Sequence, residues 1–189
     1  MQSPKIDKKK LRKLTPTRNP FASLAASIIY QQLSGKAAAT IEGRFLNLFS
    51  KKVKGYPTPE MVLKMSDEKM RGAGLSYGKI SYIKDLATKF LDGTLTPKLF
   101  SKMSDADIRE HLVRVKGIGV WTADMFLIFA LNRPNILPLG DLAIRKGFQK
   151  AWGLKSIPSE KKMLALAAVF EGRHTELSLH LWGIMDEGK

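Results

Sequence analysis

The chain of 189 residues contains no cysteine. That absence excludes disulfides, thiolate zinc sites, iron–sulfur clusters and cysteine nucleophiles together. Histidine is scarce as well: His111, His174 and His180 are the complete set, and none has the spacing of a metalloprotease helix. No apolar run approaches the roughly 20 residues that a helical bilayer span requires, so no membrane partner is expected. The opening residues, MQSPKIDKKKLRKLTP, are polar and basic with no apolar core behind them, which gives no indication of secretion. Acid is in short supply: 17 Asp and Glu stand against 32 Lys and Arg, a formal net charge of +15.

What is present is enough for a packed domain, since 44% of the residues are hydrophobic. A compact domain with this charge is attracted to polyanions. Residues 1–20 hold Lys5, Lys8, Lys9, Lys10, Arg12, Lys13 and Arg18 against the single acid Asp7, so a basic arm over 1–19 carries +6 and the rest of the chain +9. The arm reads either as a solvated tail or as part of the polyanion contact.

From Asn19 onward, helix-start signals alternate with apolar residues three and four apart. Asn19-Pro20, Ser34, Thr58-Pro59, Ser66, Ser76, Thr96-Pro97 and Ser104 are the starts, the last a capping box closed by Asp107. Further helical segments run from Trp121 to Leu131, Leu142 to Trp152, Ser159 to Phe170 and Thr175 to Met185. No alternating strand is found. The expected fold is all-α, about ten helices, with residues 20–189 forming one unit of two lobes that do not fold independently.

Two motifs imitate chemistry. Gly74-Leu75-Ser76-Tyr77-Gly78 spells a nucleophile elbow but follows a helical segment instead of a strand, so Ser76 reads as a helix cap. Gly78-Lys79 lacks the glycine and hydroxyl residue that a phosphate loop requires. The informative stretch is Leu112-Val113-Arg114-Val115-Lys116-Gly117-Ile118-Gly119-Val120-Trp121-Thr122-Ala123. Two glycines flank one apolar residue between helices. Gly117 and Gly119 allow a close backbone approach, Ile118 can anchor the turn in the core, and the following helix start suits a phosphate. An ordinary αα-turn fits the same pattern. Twenty residues beyond Trp121, Pro138-Leu139-Gly140-Asp141 forms a turn in which Asp141 reads as the N-cap of the next helix.

Together these pieces resemble the helix-hairpin-helix DNA glycosylase superfamily, in its alkylpurine branch, the DNA-3-methyladenine glycosylase II type. The resemblance runs from about Pro20 to Met185. Ser27 to Ala38 resembles the early helix-turn-helix whose loop residue enters the duplex, and Gly74-Leu75-Ser76 with Lys79 resembles a recurrent segment of these enzymes. The hairpin Lys116 to Ala123 and the Asp141-x-x-Ile144 segment form the specific pair.

The resemblance implies a monofunctional glycosylase that flips an alkylated purine, of 3-methyladenine or 7-methylguanine type, out of double-stranded DNA and hydrolyses its N-glycosidic bond in base excision repair. Asp141 is then the catalytic carboxylate beside the sugar. Trp121 stands where strand-cleaving relatives carry a Schiff-base lysine, so no lyase activity is expected. Trp121, Tyr30 and Met125 are expected to line the base pocket. Gln32, or else Gln31, fills the gap left by the flipped nucleotide, and Lys116, Gly117, Gly119 and Thr122 contact the DNA. By the same analogy the backbone carbonyls of Val113, Val115 and Ile118 hold a structural Na+ or K+, with no other cofactor required. The implied protein is a monomer that works where DNA is, in a nucleus or a nucleoid. A second reading keeps the hairpin but binds abasic or distorted DNA without catalysis; a carboxylate at position 141 argues against it, because a pure binder gains nothing from an anion facing phosphates.

Overall fold

The structure, a computed structural model, describes residues 4–9, 11–49, 51 and 53–186; Lys10 of the basic arm lies outside them. Ten α-helices and no strand are found among the described residues. They group into two compact units, one of Thr17–Phe126 and one of Met1–Pro16 with Leu127–Lys189. The N-terminal residues up to Pro16 thus cluster with the C-terminal helices.

The Thr17–Phe126 unit contains α1 (Pro20–Tyr30), α2 (Gly35–Asn47), α3 (Pro59–Leu63), α4 (Asp67–Gly72), α5 (Tyr77–Leu91), α6 (Asp105–Val113) and α7 (Val120–Met125). Asn19, Ser34, Thr58, Ser66 and Ser76 each accept a backbone N–H of the first turn that follows, so the capping expected at these starts is present. Ser104 and Asp107 form the reciprocal capping box of α6. Thr96-Pro97 behaves differently: with no side-chain cap, Pro97–Lys102 winds as a 3-10 helix. Helix α5 packs against α1, α3 and α4. Its inward residues Ile80, Ile83, Leu86 and Ala87 are buried, as are Leu24, Ile28 and Ile29 of α1, and Phe21 meets Phe90 edge-on at 5.3 Å. Each large apolar side chain buried in this way contributes about 1.5–3 kcal/mol. After α7 the chain continues as a π-helix, Phe126–Ala130.

The other unit contains α8 (Leu142–Ala151), α9 (Glu160–Ala167), a 3-10 turn over Ala168–Phe170, and α10 (His174–Asp186). Its core joins Ile144, Phe148, Met163, Ala167, Leu177 and Leu181, with Ile6 from the N-terminal arm packed on it. At the α8–α10 contact a Cβ on Gly147 would lie 2.9 Å from the Leu181 Cβ, so only glycine permits this approach. The arm is tied down further: Lys8 pairs with Glu176 at 2.8 Å, and the Arg12 guanidinium lies over the Phe129 ring at 5.4 Å.

Candidate functional site

In the Thr17–Phe126 unit, three segments meet around a cavity of about 720 Å³. The end of α1 contributes Ser27, Tyr30, Gln31 and Gln32; the start of α5 contributes Ser76, Gly78, Lys79 and Tyr82; the α6–α7 hairpin contributes Gly117, Trp121, Thr122 and Met125. Seven residues expected at the site from the sequence thus share one cavity. Trp121 is 52% exposed and presents its indole there, which rules out a role as a core aromatic. Tyr30 is half-exposed, and Thr122 is buried.

The Tyr30 hydroxyl donates to Glu42 of α2 at 3.0 Å, and Tyr56 donates to the other oxygen of the same carboxylate. The hydrogen bond to Glu42, more than desolvation, pushes the Tyr30 hydroxyl above its ordinary pKa. Burial first, and Glu42 second, pushes Tyr56 upward as well.

Gln31 and Gln32 differ in how they are held. Gln31 donates its side-chain N–H to the Gly117 carbonyl at 2.8 Å, tying the end of α1 to the hairpin. Gln32 is exposed and holds a left-handed φ of 56°, a conformation that costs a non-glycine residue about 1 kcal/mol. The loop is fixed from below by Lys79, whose ammonium donates to the carbonyls of Ile29 at 2.6 Å and Gln31 at 2.9 Å. Burial lowers the pKa of this lysine. The hairpin rests on the same helix: Asp85 accepts the Lys116 N–H at 2.9 Å, and a Cβ on Gly117, where φ is +78°, would run into the Tyr82 ring. Lys79, Tyr82 and Asp85 are spaced by three on α5 and form one supporting face.

Within the hairpin, Ile118 is 4% exposed, as an anchoring residue should be, whereas the Lys116 side chain is exposed. Gly119 is the N-cap of α7 and lies outside the cavity lining; no side chain caps this helix. Val113 is half-exposed and Val115 buried, and the Val115 carbonyl accepts the Ile118 N–H at 3.1 Å. Arg109 of α6 clasps the buried Asp124 of α7 at 2.7–2.8 Å, so an ion pair locks the two hairpin helices.

Asp141 belongs to the other unit. Its Oδ1 accepts the Ile144 N–H at 2.8 Å, making it the N-cap of α8, and also the Trp182 indole N–H at 3.2 Å. Trp182 stacks on Phe129 at 5.7 Å. Two donors therefore fix the carboxylate's rotamer. Arg173, His174 and Thr175 serve structure in this unit: Arg173 lies over Phe170, His174 meets the Ala167 carbonyl, and Thr175 bonds to Arg133 and Ile136.

Sequence reasoning did not single out Glu42, Tyr82, Asp85, Arg109, Asp124 or Trp182. Only the three-residue spacing on α5 carried a local signal.

A model of the HhH-GPD superfamily of base excision DNA repair proteins matches residues 25–171. DNA-3-methyladenine glycosylase 1 of Schizosaccharomyces pombe is 34% identical over 166 residues, covering 87% of this chain and 72% of that protein. The putative DNA-3-methyladenine glycosylase YfjP of Bacillus subtilis is 33% identical across 82% of this chain, which spans 55% of that longer relative. Among solved structures, a DNA-3-methyladenine glycosidase of Bacillus halodurans aligns with a TM-score of 0.83 at 35% identity, covering 91% of this chain and 78% of that one. The S. pombe 3-methyladenine DNA glycosylase in complex with abasic DNA aligns at 0.74 and 32% identity, over 93% and 87% of the two chains. With its hairpin and with a match extending over most of its length, the chain belongs to the HhH-GPD superfamily of base excision DNA repair proteins.

Proposed function

We propose that this protein is a monofunctional DNA glycosylase that flips alkylated purines from duplex DNA and hydrolyses their N-glycosidic bond. The observation that carries the reading is the cavity walled by Tyr30 and Trp121 next to the hairpin, in a chain whose relatives are named 3-methyladenine glycosylases. Aromatic faces suit a flipped base, and a desolvated cationic alkylpurine gains about 2 kcal/mol from such a ring.

Cleavage breaks the C1′–N bond, and the bonding electrons leave with the base. An N3- or N7-alkylated purine is already cationic, so it departs neutral and needs no strong general acid. Asp141 is assigned to stabilise the positive charge developing on the sugar and to accept a proton from the water whose oxygen bonds to C1′. Its two fixed donors hold the carboxylate ready without reorganisation. Trp121 provides no amine, so no Schiff base forms and the strand stays intact. Gln32, exposed in the turn after α1, is assigned to the vacated position in the duplex, while Gln31 braces the hairpin. Lys116, Gly117, Gly119 and Thr122 are assigned to the DNA side. The uncharged carbonyls of Val113, Val115 and Ile118 suit a monovalent ion, and the Val115 oxygen keeps a second lone pair beyond its Ile118 bond. Na+ or K+ there would stiffen the turn. The partner is damaged double-stranded DNA, engaged by a monomer.

The test is base release from a duplex with one 7-methylguanine, followed by alkali. Wild type should give alkali-dependent strand breaks, and Asp141→Asn should lose about 100-fold or more of the rate while still binding abasic DNA. Full turnover by the variant would remove Asp141 from its role. Tight abasic binding with no release by wild type would favour the non-catalytic reading instead.

A further inference from the structure

Glu42 has no place in the assignments above, although it lies one side chain behind the cavity wall. Its carboxylate accepts the Tyr30 hydroxyl at 3.0 Å and the Tyr56 hydroxyl with its other oxygen. Among the described residues, no ammonium or guanidinium lies within 4 Å of it. Two neutral hydroxyls thus satisfy the carboxylate without neutralising it. The phenol that donates to it becomes more electron-rich, and Tyr30 is one of the aromatic residues that line the cavity. A more electron-rich ring attracts a cation more strongly and a neutral ring system hardly at all. Tyr56, half-buried in the same triad, keeps the carboxylate in place from the other side.

We infer that Glu42 is a specificity-determining residue. Acting through Tyr30, it biases the cavity toward purines that carry a formal positive charge over neutral purines of the same shape. The inference rests on the glycosylase reading of the cavity. It assigns Glu42 no contact with the base and no part in bond cleavage; it is a positioning and polarising residue.

The charge and the geometry can be separated, because Glu42→Gln keeps the size and one acceptor oxygen and removes the anion. The probes are two duplexes that cannot be cleaved, one carrying 2′-fluoro-7-methyl-2′-deoxyguanosine, which is cationic, and one carrying 2′-fluoro-2′-deoxyguanosine, which is neutral. Dissociation constants for both are measured by fluorescence anisotropy with wild type, Glu42→Gln, Tyr30→Phe and Tyr56→Phe. Wild type is expected to prefer the cationic duplex, and Glu42→Gln to lose about tenfold of that preference with little change on the neutral duplex. Tyr30→Phe, which cuts the link while leaving the anion, should lose a similar share, and Tyr56→Phe should keep it. A purely structural role would weaken both duplexes alike and leave the ratio unmoved. An unchanged ratio in Glu42→Gln, or no cationic preference in wild type, overturns the inference. Failure of the glycosylase reading would register separately, as no release of 7-methylguanine by wild type.

Discussion

The single atom that carries most weight is Oδ1 of Asp141, which accepts from a backbone amide of its own helix and from the indole of Trp182. The first bond was legible, because an aspartate after Pro-Leu-Gly and before a helical segment is an N-cap on sight. The second was not: Trp182 lies 41 residues further on, and nothing local announces the pairing. Hydrogen bonds to a charged acceptor contribute about 1.5–3 kcal/mol. Trp182→Phe keeps the stack on Phe129 but removes the donor, so single-turnover base release should fall about tenfold or more while affinity for an abasic duplex holds. A rate equal to wild type would mean that the cap alone orients the carboxylate. Position 32 shows the same boundary between readable and unreadable. A glutamine in a helix–helix turn suggests itself as a loop residue, but its left-handed backbone depends on Lys79 binding the carbonyls just before it, an interaction spanning about 50 residues.

At the scale of elements, the helix starts were legible, since serine, threonine, asparagine and proline act within one turn of where they stand. The endings were less so. The segment expected to run evenly from Trp121 to Leu131 begins as α7 and relaxes into a π-helix at Phe126, where packing and not propensity sets the winding. The clasp between α6 and α7 was invisible, because Arg109 and Asp124 are each ordinary charged residues until the hairpin folds. Burial pushes the Asp124 carboxyl above its ordinary value, and Arg109 pulls it back in part. An acid with a raised folded-state pKa favours folding when protonated; that contribution is present below its ordinary value and is lost as pH rises through the raised one. Arg109→Gln leaves the buried carboxylate alone and raises its pKa further. The variant should lose about 3 kcal/mol at neutral pH, the low end for a buried pair because Arg109 is 31% exposed, and regain part of it toward pH 5. Thermal melts at pH 7.5 and 5 check this, and an equal loss at both would place the cost elsewhere.

For the molecule as a whole, the charge of +15 makes salt the governing variable of its affinity for DNA. Charge was fully legible, but its distribution was not: in sequence the basic arm reads either as a solvated tail or as part of the polyanion contact, whereas Ile6 packs against a core, Lys8 is paired and Arg12 lies over Phe129. Lys116 keeps an exposed side chain, while its backbone N–H is fixed to Asp85. Lys116→Ala should weaken binding to every sequence alike and reduce the slope of log affinity against log salt by roughly 0.9, the increment for a single phosphate left without its cation. Titrations from 50 to 200 mM salt measure it, and an unchanged slope would exclude Lys116 from the phosphate backbone. The bond between Tyr30 and Glu42 has one more consequence, in chemical durability. Methylating electrophiles attack thiolates and phenolates readily. The chain offers them no thiol, and at Tyr30 the bond to Glu42 keeps the hydroxyl in its less nucleophilic phenol form to higher pH, so the ring that lines the cavity is protected from the reagents that create alkylated bases.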